Sequence, residues 1–182
     1  AALDLALIRV HLDEIEPVNV FAEPDGRIFL PRGFYQKYRN AEVPDEELAS
    51  VIAHELGHVA LGHSRRRMID FSGQNAIRTA LIMVLSRFLP GIGVMIANAV
   101  TSMLAARLSR TDEYEADAYA SALLVKSGIG TGPQKSLFRK LENLTGARGA
   151  SIPVWLMSHP KVEDRIAKIE ELEARWAVSG QS

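Results

Sequence analysis

The sequence contains no cysteine among its 182 residues. A disulfide framework and a thiolate metal site are therefore both excluded, and any bound metal must take histidine and carboxylate ligands. An excess of either charge is also missing, because 21 basic and 22 acidic side chains leave a formal net charge of −1. Nucleic acid binding requires a basic surface that faces the phosphates. We therefore expect no nucleic acid partner.

A long apolar run is missing too. The chain also does not begin with a basic segment followed by an apolar core, so the first residues predict no signal peptide. The most apolar stretch, residues 76–106, is interrupted by Arg78, Arg87 and a Pro-Gly-Ile-Gly turn at 90–93. A membrane-spanning helix needs ~20 apolar residues, and the arm between the two arginines is far shorter. We expect a helical hairpin whose uncharged second arm, residues 88–106, contacts a membrane surface; insertion of this arm is the alternative.

The rest of the chain predicts a mainly helical α+β fold. Two strand-like runs, residues 18–22 and 27–30, flank a Glu-Pro-Asp-Gly turn and predict a small antiparallel sheet. A helix is expected from about residue 44 to residue 63, because Pro44 and three acids suit its first turn. The length fits one domain spanning residues 1–182. Apolar spacing predicts further helices at 3–15, 112–126, 134–144 and 161–176.

The motif His54-Glu55-Leu56-Gly57-His58 lies inside the predicted helix 44–63. Residues four apart lie on one helix face, so His54 and His58 can bind one metal ion. Glu55 points about a quarter-turn away, where it can accept a proton from a metal-activated water without binding the metal. A chance surface pattern is the alternative, but apolar neighbours indicate burial, and burying these groups without partners is costly. The motif therefore indicates a zinc site.

A catalytic zinc ion needs a third protein ligand and an open position for water. His63 does not fit the extended motif with a third histidine, which requires Gly and His where this sequence has Leu61 and Ser64. Glu113 is the better candidate, because Asp117 follows four residues later on the same helix face. One carboxylate can bind zinc while the other accepts the N–H of a ligating histidine. The alternative is a solvated acidic face.

His159 stands in a Ser-His-Pro sequence just before the last predicted helix. Its imidazole could donate to the oxyanion that forms when a peptide carbonyl is attacked. It could also occupy the open zinc position in a resting state. A third interpretation is a simple helix cap. The residue types alone leave these three roles open.

Three blocks of the sequence resemble the gluzincin metallopeptidases, which include the HtpX-type heat-shock protease and the CAAX prenyl endopeptidase. The first block is the motif at 54–58, which continues as His-Val-Ala-Leu-Gly-His through residue 63. The second runs from Arg110 to Asp117, and the third from Ser158 to Arg165. Their order and spacing extend the resemblance over about residues 18–170.

The resemblance implies a zinc endopeptidase that holds one Zn²⁺ per chain between zincin-like helices, with the sheet at the edge of the cleft. It implies Glu113 as the third ligand and Asp117 as the group that orients a ligand. It also implies that His159 lies near the substrate and that Arg165 supports this wall of the site.

Members of this family commonly act in the bacterial cell envelope, so the resemblance implies a periplasmic or membrane-associated protease. Its substrates would be unfolded or misfolded proteins bound in extended form, because a strand can add along a sheet edge through sequence-tolerant backbone hydrogen bonds. An inactive zinc-binding chaperone or scaffold of the same fold is the alternative, against which the intact Glu55 argues. A zinc hydrolase of a small amide would keep the same catalytic residues.

Overall fold

The computed structural model describes residues 9–13, 21–23, 27–146, 159 and 162–179. Its strands are β1 (Arg9–Asp13), β2 (Phe21–Ala22) and β3 (Arg27–Pro31), and they form one sheet in the order β1-β3-β2. β2 pairs antiparallel with β3, as the predicted hairpin requires. β1 pairs parallel with β3. The sheet is therefore mixed, whereas the sequence predicted an antiparallel one.

The helix predicted at residues 3–15 is wrong where the structure describes this segment. Residues Arg9–Asp13 form β1, with Val10 opposite Ile28 of β3. The sequence Arg-Val-His-Leu-Asp alternates polar and apolar residues, which is the two-residue period of a strand. Over five residues this period is hard to distinguish from helical spacing. The remaining residues of the predicted helix, 3–8 and 14–15, lie outside the described part of the chain.

The rest of the described chain is mainly helical, which confirms the predicted fold class. The predicted helix 44–63 is present but shorter, because Gly62 adopts a left-handed φ of 67° that ends it and begins the next helix at His63. The helices are α1 (Arg32–Arg39), α2 (Asp45–Ala60), α3 (His63–Phe88), α4 (Gly93–Lys126), α5 (Gly132–Gly146) and α6 (Val162–Ser179).

The chain divides into two compact units. The main unit comprises Ala1–Leu61 and Glu113–Ser182, and the hairpin unit comprises Gly62–Asp112. The helix predicted to start near residue 112 instead belongs to α4, because no glycine or proline interrupts the sequence between Gly93 and Lys126.

The hairpin unit contains α3 and the first part of α4, joined by a turn at residues 89–92. The sequence predicted a shorter helical hairpin, at about residues 76–106, whereas α3 begins at His63 and α4 continues to Lys126. Arg78 Nε donates to Asn98 Oδ1 at 2.7 Å and so links the two arms. In the described ranges, no helix combines the length and the apolar character that crossing a membrane requires.

The core of the main unit forms where β3 packs with three helices. Alternate residues of β3, Ile28 and Leu30, are buried and face side chains from α2, α5 and α6. Burying each large apolar side chain stabilises the fold by about 1.5–3 kcal/mol. This packing fixes α2, the helix that carries His54, Glu55 and His58. The other large buried members of the core are Val51, Leu56, Leu137, Phe138, Leu141 and Ile169.

A partly buried ion pair also holds α2 against α5. Glu47, in the first turn of α2, is only 4% exposed. Its carboxylate accepts a hydrogen bond from Ser136 Oγ at 2.9 Å and pairs with Lys140 Nζ at 2.8 Å. Because a buried carboxylate without partners would be costly, these contacts fix the register between the two helices.

Candidate metal centre

The metal centre depends on a close approach between α2 and α4. A Cβ atom on Gly57 would lie 2.8 Å from the carbonyl oxygen of Ala116 and 2.9 Å from its Cα. Only glycine fits such a contact without a shift of one helix. Ala116 and Ala120 are fully buried, whereas Ala118 is half-buried. The role of Gly57 was not predicted, although a glycine inside a helix is a signal of close packing.

Four buried side chains of the main unit converge on one point: His54, His58, Glu113 and His159. One ligand atom from each lies within 4.8 Å of the others. Nε2 of His54 is 3.1 Å from Nε2 of His58, 3.3 Å from Nδ1 of His159 and 3.4 Å from Oε2 of Glu113. The structure thus brings the two histidines of the helical motif next to the predicted third ligand.

The donor set fits a zinc ion. A neutral imidazole offers one donor and one acceptor nitrogen, so three ring nitrogens and a carboxylate at one point suit a shared cation. Zinc prefers four nitrogen and oxygen ligands in a tetrahedron, and bonds of ~2.0 Å would separate neighbouring ligand atoms by ~3.3 Å. The contacts between His54 and its three neighbours, at 3.1–3.4 Å, match this spacing.

Asp117 lies on the outer side of His54. Its Oδ1 is 2.9 Å from Nδ1 of His54, so a proton on Nδ1 leaves Nε2 directed at the other ligands. Arg165 is fully buried and donates to both carboxylate oxygens of Asp117, at 2.6 and 2.7 Å. Its third nitrogen donates to the carbonyl of His159 at 3.1 Å. Arg165 therefore connects the support of His54 to the backbone of His159.

Glu55 and His159 lie beside each other at the cluster. Oε1 of Glu55 is 3.4 Å from Nε2 of His159, and Nδ1 of the same imidazole is 2.7 Å from Oε2 of Glu113. The His159 ring is therefore part of the cluster, where the sequence left a simple helix cap open as well. Glu55 is buried, and its carboxylate is not one of the four converging ligand groups. This position suits a proton acceptor.

The electrostatics of the cluster are strongly coupled. Burial lowers the pKa of His54, but hydrogen bonds to Asp117 and Glu113 outweigh burial and raise it to about 9. Burial, with the neighbouring His54, lowers the pKa of His159 to about 4 although Glu113 opposes this. Burial would raise the pKa of Glu113, yet its contacts with the two histidines hold it well below the usual range. The carboxylate is therefore ionised and able to bind a cation.

All seven site residues predicted from the sequence lie in the main unit. His63, which the sequence disfavoured as a ligand, lies in the hairpin unit and is not a member of the four-residue cluster. Sequence reasoning missed Phe138, whose ring lies 4.4 Å from the guanidinium carbon of Arg165. It also missed Gln134, which contacts Asp117. Both residues come from α5, whose apolar pattern indicated only a core helix.

Comparison with known proteins shows which family the chain belongs to. The sequence model for Peptidase family M48 matches residues 5–173. The chain is similar to the metalloproteases LoiP and YcaL of Escherichia coli, with 31% and 33% identity. Each of these two matches covers 85% of this chain and 58% of the relative.

The chain is also 28% identical to a putative beta-barrel assembly-enhancing protease of Vibrio cholerae, in a match that covers 85% of the chain and 32% of that protein. It thus spans between about one third and three fifths of the length of these relatives. No solved structure gives a significant match. Because the family model covers most of its length, this chain belongs to Peptidase family M48.

Proposed function

We propose that this chain is a zinc-dependent metalloendopeptidase domain that hydrolyses peptide bonds of unfolded or misfolded proteins in the bacterial cell envelope. The buried convergence of three imidazoles and a carboxylate beside Glu55 carries this proposal. Two relatives named metalloproteases support the activity, and relatives named beta-barrel assembly-enhancing proteases support an envelope location. Residues 1–182 would form one catalytic domain, whose sequence the hairpin unit interrupts at 62–112.

In this mechanism His54, His58 and Glu113 would hold one Zn²⁺. When bound, zinc lowers the pKa of water and polarises the peptide carbonyl. Glu55 accepts the proton of the attacking water and later delivers it to the leaving amine. Asp117 keeps the Nδ1 proton of His54 in place.

We further propose that the substrate binds in extended form. β3 is the central strand of the sheet, so β1 and β2 form its edges, and β2 packs against α2. A polypeptide that adds to a sheet edge uses its own backbone groups, which tolerate many sequences. A folded substrate could not present such a strand, and this requirement selects unfolded segments.

The test compares the cleavage of one substrate protein in its native form with the cleavage of the same protein in its unfolded form. We expect cleavage of the unfolded form, loss of cleavage on chelation, and recovery when zinc is restored. Zinc binding without cleavage of any substrate would favour an inactive chaperone or scaffold. Hydrolysis of small amides without protein cleavage would favour a small-amide hydrolase.

His159 is expected to act in the transition state, with a second role as a fourth zinc ligand when no substrate is bound. His159→Ala should lower kcat by roughly 10- to 1000-fold, because a donor to the oxyanion is lost in every turnover. A rise in basal cleavage would instead show that His159 mainly closes the site at rest. Unchanged kcat and KM would leave it without either role.

The hairpin unit supports membrane surface contact through residues 88–106. Of the 21 large hydrophobic side chains that are exposed in the described part of the chain, 14 lie in this unit, among them Phe88 and Met95 at 73% and 71% exposure. Its seven arginines and two aspartates give the unit a charge of +5, although the whole chain carries −1. An apolar surface with this charge favours contact with anionic lipid.

Vesicle flotation tests this contact. We expect the protein to float with anionic vesicles, to bind zwitterionic vesicles less, and to be released by carbonate. Replacing Phe88 and Met95 with Ser should abolish flotation, whereas Ser in place of Val178, an equally exposed residue of α6, should not. Resistance to carbonate would indicate insertion instead. Absence of binding to either vesicle would exclude a lipid role for the hairpin.

A further inference from the structure

The sequence at the beginning of α5 matches a helix-capping motif whose side-chain hydrogen bonds are replaced by other contacts in the structure. Thr131-Gly132-Pro133-Gln134 has the form of a capping box, in which the first and fourth side chains bond each other's backbone N–H groups. Both side chains lie elsewhere in the structure. The hydroxyl of Thr131 pairs with Glu173 of α6, and the amide of Gln134 crosses to α4. Gln134 thus makes a contact between helices instead of the local capping-box hydrogen bond.

The amide of Gln134 is directed at the support of the metal centre. Its Oε1 accepts a hydrogen bond from Ser121 Oγ at 2.8 Å. Its Nε2 is 3.4 Å from Oδ1 of Asp117 and 3.4 Å from the carbonyl oxygen of the same residue, at the long end of hydrogen-bonding range. Gln134 is 1% exposed and Ser121 is fully buried. Both oxygens of Asp117 that face the amide can only accept, so Nε2 must point at them and Oε1 is left to accept from the Ser121 hydroxyl.

This contact completes the hydrogen bonding of Asp117. Three donors then meet Oδ1: Nδ1 of His54 at 2.9 Å, the guanidinium of Arg165 at 2.7 Å and the amide of Gln134. Oδ2 accepts from Arg165 at 2.6 Å. A carboxylate held on both oxygens resists rotation, and the orientation of the His54 ring depends on Oδ1.

We propose that Gln134 is a positioning residue of the metal centre, holding Asp117 and through it the imidazole of His54. The inference rests on the proposed function, because it assigns His54 as a zinc ligand. It adds α5 to the elements that build the site, next to α2 and α4. Ser121 is the second member of this support, since its hydroxyl orients the amide.

The test compares Gln134→Leu with Ser136→Ala, which removes a different buried contact of α5, the one to Glu47. We expect Gln134→Leu to weaken zinc affinity about 3- to 10-fold, somewhat less than loss of a direct partner of a ligating histidine. Ser136→Ala should lower stability in urea while zinc affinity stays unchanged. Ser121→Ala should also weaken zinc affinity. It provides the same test if Gln134→Leu does not fold.

A second measurement is made on the metal-free protein. In NMR spectra, the Nδ1 proton of His54 should exchange with water faster in Gln134→Leu than in the wild type or Ser136→Ala. Wild-type exchange together with wild-type zinc affinity would overturn the proposal. If even the wild type binds no zinc, the proposed function fails, while the exchange rate still decides whether Gln134 holds Asp117 and His54.

Discussion

Replacing Glu55 with Gln is expected to reduce kcat on an unfolded protein by about 10²- to 10⁴-fold while zinc binding remains intact. Glutamine nearly matches glutamate in shape but cannot accept the proton of the attacking water. The carboxylate of Glu55 is not one of the four converging ligand groups, so the donors that hold the metal stay unchanged. Metal content and steady-state kinetics on one preparation measure both effects.

Glu47→Gln is the matched control for this experiment. Glu47 is also a buried glutamate of α2, but its partners are Ser136 and Lys140 of α5. Its substitution should cost some stability, because the buried carboxylate loses its charge and its pairing with the exposed Lys140, and should leave kcat close to normal. Near-normal turnover in Glu55→Gln would contradict the assigned mechanism. Equal losses in both variants would point to damage of α2 instead.

The wild-type protein should bind about one zinc ion per chain, and Ala at His54, His58 or Glu113 should weaken that binding more than about 100-fold. Each substitution removes one of three ligand groups whose closest atoms lie 3.1–3.5 Å apart. Loss of an outer partner alone typically costs about 10- to 100-fold, so loss of a direct ligand should cost more. Competition with a chromogenic chelator measures the affinity.

Two further variants separate the ligands from their neighbours. His11→Ala, at an exposed position of β1, should bind zinc like the wild type. His159→Ala should keep one zinc per chain, because three ligands remain. Full zinc affinity in Glu113→Ala would remove Glu113 from the ligand set and make His159 the third ligand. Retention of zinc by all three alanine variants would place the metal elsewhere.

The parts of the site that lie on one helix were predictable. His54 and His58 are four residues apart, as are Glu113 and Asp117, and helical geometry puts each pair on one face. The spacing of apolar residues likewise predicted α2, whose buried side the core confirms. The role of Arg165 came only from the resemblance to a family.

Contacts between distant elements were harder to predict. Gly57 inside a helix signals a close approach, but the sequence does not show that the approaching group is the backbone of Ala116, 2.8 Å from the Cβ position. β1 was misassigned because its pairing with β3 is non-local, while five residues are too few to establish a period. Gln134 was overlooked because its contact with Asp117 joins α5 to α4, and the local sequence of α5 indicated only a core helix.

During folding, Gln134 has two competing partners. A helical turn can form in about 0.1–1 μs, so the box between Thr131 and Gln134 can close in the unfolded chain before α4 is in place. It must open again when α5 docks, because the same amide then bonds Ser121 and contacts Asp117. This early capping bond is non-native. A stronger capping bond would stabilise the isolated α5 helix relative to the docked α5 helix. Gln134 orders the metal centre in the native state. During folding, its local capping bond competes with the native contact, which is a case of local frustration.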